Sequence, residues 1–303
     1  MKKRYVVYSV MIGGYDEVIQ PLVMDERFDY ILFTDEKTLD RIGVWDVRTF
    51  DYHNDDKTRE SRYPKMHPEL LLPEYEASLY IDANLSIANK VVYNNVVSFC
   101  EQDVDWAGIL LPHPPHPDCI YEHAFFVMAY RLDKEKSVFE LCHKLKLEKY
   151  PRHNGLLENN VIYRKNNEIC KMIDEMWWDM YCRYSRRDQL SLEYVLWKHP
   201  EMKLEMILPK GERAFDSNSF YSNNHHSSAD TTRFVKVFFF EFVRDKIRAK
   251  IPEKRKLFED FHYWLYGQPL FIARILLFLW GMVYTPKYFV VFLKSRRFLL
   301  RIN

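Results

Sequence analysis

Short apolar runs, each closed by a polar or glycine-containing loop, dominate the first half of the chain. The runs have the length and the aromatic and β-branched content of strands, at 4–12, 30–35, 78–82 and 105–111. Later segments have the apolar spacing of helices, at 134–149, 167–184 and 188–199. This alternation predicts an α/β fold, a mixed and mostly parallel sheet flanked by helices.

The third run, SLYIDANL, ends in two oxygen-bearing side chains, Asp82 and Asn84. Ligands of open α/β sheets bind just beyond the carboxyl ends of strands, where such a pair can hold Mg²⁺ or Mn²⁺ against a diphosphate. The pair also suits an ordinary turn, because short polar side chains hydrogen-bond their own backbone. Taken alone, the motif leaves both interpretations open.

Composition favours one compact body with an appendage. The chain has 303 residues, of which 48% are hydrophobic, and contains 8 Gly against 21 Tyr and 21 Phe, which argues against a Gly-rich dinucleotide fold. Its five cysteines lack CxxC spacing, which predicts reduced thiols in a cytosolic compartment. The apolar run 5–12 is too short for a secretory core and is better explained as the first strand.

Charge divides the chain at about residue 230. Residues 231–303 carry 15 Lys+Arg and 5 Asp+Glu, a net of +10, whereas residues 1–230 carry 29 and 38, a net of −9. We predict a catalytic-type domain at 1–230 and a basic, aromatic, amphipathic helical tail at 231–303. The apolar run 270–284 is broken by Arg274 and is shorter than the roughly 20 residues of a spanning helix. We expect the helices of the tail to lie on an anionic membrane surface rather than on nucleic acid. A helical hairpin packed on the body of the protein is the alternative.

A basic group precedes the SLYIDANL strand. Arg59, Arg62 and Lys65 are close enough together to clamp a diphosphate, Arg through its planar fork and Lys as a point charge. The alternative is a solvated helix face on which these residues pair with Glu60 and Glu69. The neighbouring Asp82 favours the phosphate interpretation.

An ordered set of segments resembles one known family. The segments follow VMIGGYDEVIQP and DYILFTDE, and they are RESRYPKMHPELLLPEYEASLYIDANLSI, HPDCIYEHA, GLLENNVIYRKNN and SRRDQLSLEYVLWK. They are similar to a glycosyltransferase-like family that includes plant proteins of pectin and seed-mucilage synthesis and bacterial polysaccharide-cluster proteins. The resemblance covers roughly residues 5–199. It implies a GT-A type fold, a nucleoside-diphosphate-sugar donor and transfer to a growing glycan.

The resemblance also implies a donor site. The residues that it assigns to the donor are Gly13, Gly14, Tyr15, Asp16, Asp35, Arg59, Arg62, Lys65, Asp82 and Asn84. We add His116 and Gln189 to the predicted donor site; an ordinary surface loop histidine is the alternative for His116. Asp82 and Asn84 stand where GT-A enzymes carry an Asp-x-Asp metal motif, so Mn²⁺ or Mg²⁺ is expected. Asn84 departs from that motif, and a neutral oxygen binds such ions less strongly. His225 is a further candidate metal ligand; an exposed polar loop is its alternative.

Three carboxylates are candidates for catalysis: Asp188, Glu158 and Glu122. Glycosyl transfer needs a carboxylate near the anomeric carbon, as a base or as a stabiliser of an oxocarbenium-like state. Asp188 also has a structural alternative as an acid in the first turn of a helix with Ser185 as its cap. Asp188 and Gln189 together resemble an acceptor-side motif of retaining GT-A enzymes.

The leading functional hypothesis is a bacterial surface-glycan glycosyltransferase. It would move a sugar from a UDP-sugar to a lipid-linked or polysaccharide acceptor, in the cytoplasm and peripherally on the inner face of the membrane. A catalytically inactive GT-A scaffold is the alternative. Asn84 replaces the second carboxylate of the metal motif, and His123 stands where a second acidic residue often follows the position of Glu122 in the family. A nucleotidyltransferase is disfavoured, because the Gly13 loop lacks a basic residue.

Overall fold

The computed structural model describes residues 4–13, 18–35, 38–112, 117–129, 132–223 and 252–284. The chain forms two compact units. One comprises Met1–Asp118 and His153–Ser227, and the other comprises Cys119–Arg152 and Ser228–Asn303. The units thus group the segment 119–152 with the C-terminal residues, which the charge pattern does not indicate. A domain boundary at residue 230 stays a prediction.

The first unit is built on an eight-stranded sheet in the order β3-β4-β2-β1-β5-β8-β7-β9. The strands are β1 Tyr5–Met11, β2 Phe28–Thr34, β3 Arg41–Ile42, β4 Trp45–Arg48, β5 Ala77–Ile81, β7 Trp106–Leu110, β8 Leu157–Lys165 and β9 Leu204–Met206. β4, β2, β1 and β5 are parallel, and β8 is antiparallel to both of its neighbours. The strands β6 Leu85–Ile87 and β10 Phe220–Ser222 form a separate antiparallel pair. The fold is GT-A-like α/β, as predicted.

All four strands predicted from apolar runs are present, as β1, β2, β5 and β7. Strand β8 was not predicted, although it lies at the centre of the sheet between β5 and β7. The reason is its composition, since five of its nine residues are polar or charged. Those side chains are nevertheless almost all buried, because both faces of the strand are covered.

Helices cover both faces of the sheet in the first unit. They are α1 Lys57–Met66, α2 Pro68–Leu71, α3 Lys90–Glu101, α6 Glu168–Arg183 and α7 Leu192–Lys198. Asp56, Asn89 and Asn167 cap the first turns of α1, α3 and α6, each accepting a backbone N–H of that turn. The helices predicted at 167–184 and 188–199 are confirmed, with α7 preceded by a 3-10 turn, Asp188–Leu190.

The apolar spacing within 167–184 predicts that Met172, Met176, Trp177 and Met180 form one core-facing side of the helix, and this prediction is wrong for Met172. Trp177 and Met180 are buried, but Met172 is 48% exposed. The buried face runs through Ile173, Trp177 and Met180, which are spaced by four and three residues and so share one side of the helix. Met172 lies five residues from Trp177 and is rotated away from that side.

The order of the strands reverses beside β1. The chain passes from β1 to β2 and β4 on one side, and then crosses to β5 on the other side of β1. Loops after parallel strands on the two sides of such a point diverge and leave a crevice at the carboxyl edge. Gly13, Asp35 and Asp82 follow β1, β2 and β5 at this edge.

The second unit is helical. Its helices are α4 Ile120–Ala129, α5 Glu135–Leu147, α8 Pro252–Leu265 and α9 Leu270–Tyr284. The hydroxyl of Tyr266 donates to the carbonyl of Tyr121 at 3.1 Å, and the Tyr121 hydroxyl donates to the carbonyl of Tyr150 at 3.0 Å. These bonds tie the C-terminal helices to α4 and to the end of α5. None of the described helices is long and apolar enough to span a bilayer.

Helix α9 turns apolar side chains outward. Ala273 is buried, whereas Phe271, Ile272, Ile275 and Leu279 are exposed. Large apolar side chains are normally buried in helices of a soluble core, so this face is unusual. The amphipathic helical appendage predicted for the C-terminal region is present here.

Candidate functional site

Asp35 holds the loop that follows β1. The Gly13 N–H donates to both carboxylate oxygens of Asp35, at 3.1 and 3.2 Å, and the Lys57 ammonium lies 3.3 Å from Oδ2. Although partial burial raises the pKa of Asp35, these donors outweigh it and lower that pKa below its ordinary value. Gly13 has a φ of +69°, which a side chain would strain. Asp35 therefore fixes the shape of the β1 loop at the carboxyl edge.

Asp82 stands immediately beyond β5. Its N–H donates to the carbonyl of Asn160 at 2.9 Å, and its carbonyl accepts the N–H of Leu85 at 2.9 Å, which closes a tight turn. The Tyr80 hydroxyl donates to Oδ1 of Asp82 at 2.6 Å. Tyr80 and Asp82 are two residues apart and so share one face of the strand. The Asp82 side chain stays 29% exposed and is open to a ligand.

Lys65 joins Asp82 to a second carboxylate, Asp188, that is distant in sequence. The Lys65 side chain is 2% exposed; its ammonium lies 2.7 Å from Oδ2 of Asp188 and 3.9 Å from Oδ1 of Asp82. It also lies 4.8 Å from the centre of the Tyr80 ring. The Nε of Arg62 is 3.3 Å from the same Asp188 oxygen. The sequence-predicted residues Arg62, Lys65, Asp82 and Asp188 thus form one ionic cluster at the carboxyl edge.

The charges of this cluster keep Asp188 ionised. Burial alone would raise the pKa of Asp188, but the ammonium of Lys65 and the guanidinium of Arg62 hold it well below its ordinary value. A carboxylate with so low a pKa is a weak base. It supplies fixed negative charge at the centre of the site.

The side chain of Gln189, next to Asp188, holds the 3-10 turn against strand β8. Its amide donates to the carbonyl of Leu157 at 2.7 Å, and the Leu157 N–H donates to Oε1 of Glu193. The indole of Trp177 donates to the carbonyl of Asp188 at 3.1 Å. These bonds tie the 3-10 turn at Asp188 to strand β8 and helix α6. Ser185 accepts the N–H of Arg187 rather than capping α7.

Glu158 is enclosed by partners. Its Oε1 accepts two bonds from the guanidinium of Arg213, at 2.5 and 3.1 Å, and its Oε2 accepts the N–H of Ala214 at 3.0 Å. Both oxygens hold the short 3-10 turn Ala214–Asp216 onto strand β8. A buried carboxylate used in this way has a structural task.

The other predicted residues have separate positions. Arg59 lies half-buried on α1 and forms no ion pair within the described part of the chain. Asn84 is buried and donates its amide to the carbonyl of Asn223 at 3.4 Å. Glu122 belongs to the helical unit, in the first turn of α4. Outside the described residues lie Gly14, Tyr15, Asp16, His116 and His225.

Two residues beside Asp82, Tyr80 and Asn160, were not predicted from the sequence. Tyr80 could have been found from the two-residue period of the strand, which places it on the face of Asp82. Asn160 had no such signal, because β8 was not recognised as a strand and its pairing with β5 is a tertiary contact.

The oxygen-bearing side chains of Asp82 and Asn84 are suited to a divalent metal ion. Mg²⁺ and Mn²⁺ take oxygen ligands, and Mg²⁺ in nucleotide sites often uses one or two carboxylates with phosphate and water. Asp82 with the amide side chain of Asn84 fits that pattern, with one carboxylate and one neutral side chain. Within the described residues Asp82 belongs to no cluster of three acidic, His or Cys side chains, so phosphate and water would supply the other ligands.

The fold and the ionic cluster define a class. A mostly parallel sheet, with acidic and basic side chains meeting at the carboxyl edge beside a topological switch point, is a GT-A-like α/β domain. Residues 1–221 match the family described as TOD1/MUCI70, glycosyltransferase-like domain, and the chain belongs to this family. The resemblance seen in the ordered segments is thereby confirmed. No individual curated protein matches the chain.

Proposed function

We propose that this protein is a glycosyltransferase that uses a nucleoside-diphosphate-sugar, a UDP-sugar in the first instance. The observation that carries the proposal is the Lys65–Asp188–Asp82 cluster at the carboxyl edge of β1 and β5. Membership of a glycosyltransferase-like family supports it. The acceptor would be a glycan or a lipid-linked sugar of a bacterial surface polysaccharide.

The basic side chains of α1 would stabilise the departing diphosphate. Negative charge develops on that group as the glycosidic bond breaks, and preorganised cations stabilise it most effectively in a site with little water. Arg62 and Lys65 are held in place by Asp188, so they lose little freedom on binding. Arg59, which has no ion pair among the described residues, adds a positive charge next to them.

Asp188 would act through its charge. The low pKa of Asp188 makes it a weak base, so we assign to it the stabilisation of positive charge at the anomeric carbon and the positioning of Lys65. Glu158 is not suited to either role, because Arg213 and the Ala214 N–H occupy its oxygens. The proposed reaction therefore depends more on electrostatics than on a protein base.

Asp82 and Asn84 would hold Mn²⁺ or Mg²⁺ together with the diphosphate. When bound, the ion would supply positive charge to the leaving group. The Tyr80 hydroxyl fixes the Asp82 carboxylate through its 2.6 Å bond. Burial raises the pKa of Tyr80 far above its ordinary value, so this hydroxyl remains a donor.

The proposal is tested with the purified full-length chain. UDP release, in which water takes the sugar in place of the acceptor, is measured with UDP-glucose, UDP-galactose and UDP-glucuronic acid, in Mn²⁺, in Mg²⁺ and in a chelator. We expect release with at least one donor, a loss of about 100-fold or more in Asp82→Ala, and no change in Glu175→Ala, an exposed carboxylate on α6. Absence of release with every donor, or equal rates in Asp82→Ala, contradicts the proposal.

An inactive GT-A scaffold is the second candidate. It is favoured by the pairing of both Glu158 and Asp188 with cations, which leaves neither as a ready base. The same experiment separates the two candidates. A donor that binds in calorimetry but is not turned over under any metal condition would support the scaffold.

We also propose that the helical unit rests on the inner, cytoplasmic face of an anionic membrane. The support is the exposed apolar face of α9, formed by Phe271, Ile272, Ile275 and Leu279, within a C-terminal segment of net charge +10. Apolar side chains enter the interface while basic residues meet anionic headgroups.

Vesicle sedimentation tests this surface. The chain is mixed with phosphatidylcholine vesicles, with and without phosphatidylglycerol. We expect binding only with the anionic lipid, reduced at least about tenfold by Phe271→Ser with Ile275→Ser, since each buried apolar side chain contributes on the order of 1.5 kcal/mol. Leu70→Ser, at an exposed leucine of the sheet unit, is the matched control. Equal loss in both variants would refute the assignment.

A further inference from the structure

Asn160 combines deep burial with an unused amide. Its side chain is 6% exposed, yet neither Oδ1 nor Nδ2 has a hydrogen-bond partner among the described residues. Burying an amide without partners is costly, and native structures contain few such groups. A group of this kind needs an explanation.

The position of Asn160 provides one. Its carbonyl accepts the N–H of Asp82 at 2.9 Å, and the preceding pair in the antiparallel ladder is Ile81 with Val161. Residues that face each other across an antiparallel pair project from the same face of the sheet. Asn160 is therefore a direct neighbour of Asp82, on the face where Tyr80 and Lys65 lie.

Resting on the proposed function, we propose that Asn160 binds the hydroxyl groups of the donor sugar. An amide offers two donors and an acceptor, and only a partner that both donates and accepts satisfies it fully. A hydroxyl does so, whereas a fully ionised diphosphate and a metal ion satisfy one half of the amide each. Asn160 is thus a specificity residue for the sugar, separate from the cations that face the diphosphate.

The arrangement also makes a prediction about stability. A residue kept for binding at the expense of the unliganded fold is a known trade-off. Replacing Asn160 with the similarly branched leucine removes the unpaired amide and should stabilise the ligand-free protein. Asn166 is the contrast, since its amide donates to the carbonyls of Tyr75 and Pro73 at the end of the same strand.

The experiment compares binding of UDP with binding of UDP-glucose, UDP-galactose and UDP-glucuronic acid by calorimetry. For the tightest UDP-sugar we expect Asn160→Leu and Asn160→Ala to weaken binding at least about tenfold, which is the size of one lost hydrogen bond to a sugar. Affinity for UDP alone should change less than about twofold in the same variants. Asn166→Leu should leave both affinities unchanged.

Thermal unfolding without ligand is the second readout. Asn160→Leu should raise Tm by about 2 °C or more, and Asn166→Leu should lower it. If the wild-type chain binds UDP-sugars and the Asn160 variants bind them equally well, or lose UDP and UDP-sugar affinity together, this inference is wrong, while the donor binding that the proposed function requires is retained. If the wild-type chain binds no UDP-sugar, the proposed function itself fails and this inference with it.

Discussion

Two ionic clusters lie on the same face of the sheet, and they differ in whether all of their charged side chains are enclosed by protein. In the inner cluster Arg164, 1% exposed, pairs with Asp174, 2% exposed, at 2.7 Å. The Tyr8 hydroxyl also accepts from Arg164, as does the carbonyl of Lys65. Every charge there is enclosed by protein. The outer cluster begins at that same Lys65 and ends at Asp82, whose carboxylate is open.

This difference in the exposure of the charged side chains indicates a different role for each cluster. A buried ion pair seldom adds net stability, because desolvation of the charges offsets their attraction. The inner cluster offsets part of this cost through the bonds of Arg164 to Asp174, to the Tyr8 hydroxyl and to the carbonyl of Lys65, and the last of these holds the backbone at Lys65 in place. The outer cluster leaves the Asp82 carboxylate partly exposed beside the buried ammonium of Lys65, an arrangement that stabilises a bound ligand better than it stabilises the fold. We therefore assign the inner cluster to structure and the outer cluster to function.

The largest expected effect breaks the inner cluster. Arg164→Met should cost about 3–5 kcal/mol in the free energy of unfolding, since it leaves Asp174 buried beside an apolar side chain. Urea denaturation measures this. Arg4→Met, in the exposed pair with Glu76, is the control and should change stability little. Adding Asp174→Leu to Arg164→Met should recover most of the loss; no recovery would argue against the ion-pair explanation.

Breaking the outer cluster should reduce activity more than stability. Asp188→Asn keeps a hydrogen-bond acceptor for Lys65 but removes the charge, so we expect turnover of the donor to fall about 100-fold, equivalent to about 2.7 kcal/mol. Its free energy of unfolding should fall by less than that of Arg164→Met. Initial rates and urea denaturation on the same preparations check both. If the variant had normal turnover and low stability, the role of Asp188 would be structural, like that of the inner cluster.

The contribution of the Lys65–Asp188 pair to stability depends on pH in a defined way. Burial raises the pKa of Asp188, but Lys65 and Arg62 lower it below its ordinary value. The stability that the ionised carboxylate contributes is therefore fully present above the ordinary carboxyl pKa of about 4. That contribution is lost only as the pH falls further, through the lowered value. Above about pH 5, neither stability nor activity should show a titration that disappears in Asp188→Asn.

Glu193 gives the opposite pH dependence, because it is buried and forms no ion pair with a cation among the described residues. Burial raises its pKa to about 8, and the charge of Asp188 adds to the rise. The folded protein thus holds this proton more tightly than the unfolded chain, so stability is greatest below about pH 4.5 and is lost as the pH rises toward 8. Between pH 6 and pH 8 we expect a loss of about 2 kcal/mol.

Glu193→Gln isolates that contribution. The glutamine carbonyl can still accept the Leu157 N–H, but it has no proton to lose. Urea denaturation at several pH values should show the decline in the wild-type protein and a flatter profile in the variant. Identical slopes would mean that Glu193 is ionised at neutral pH.

The smallest expected effect concerns the edge of the outer cluster. Arg59→Ala should raise KM for the UDP-sugar about tenfold, or 1.4 kcal/mol, with little change in kcat, since Arg59 holds no protein partner in place among the described residues. Steady-state kinetics at two ionic strengths measure it. Arg4→Ala, which removes the exposed pair with Glu76 at the amino ends of β1 and β5, is the control.

Much of the site was predictable, because it depends on local patterns. Asp82 was found from the end of an apolar strand, and Arg62 and Lys65 from their spacing before it. Their pairing with Asp188 was not predictable, since Lys65 and Asp188 are separated by 123 positions and meet only when α1 packs against the turn before α7. The enclosure of Glu158 was not predictable for a similar reason, as Arg213 reaches it across 55 positions.

The sequence by itself determined the class of fold, the strand that ends at Asp82 and the family to which the chain belongs. Periodicity and turn chemistry are local, and a run of neighbouring residues carries them. Only the tertiary structure decided which charges are sealed and which remain open. The pKa of Asp188, the enclosure of Glu158 and the unpaired amide of Asn160 all depend on burial and on partners from other elements, and no local pattern encodes those contacts.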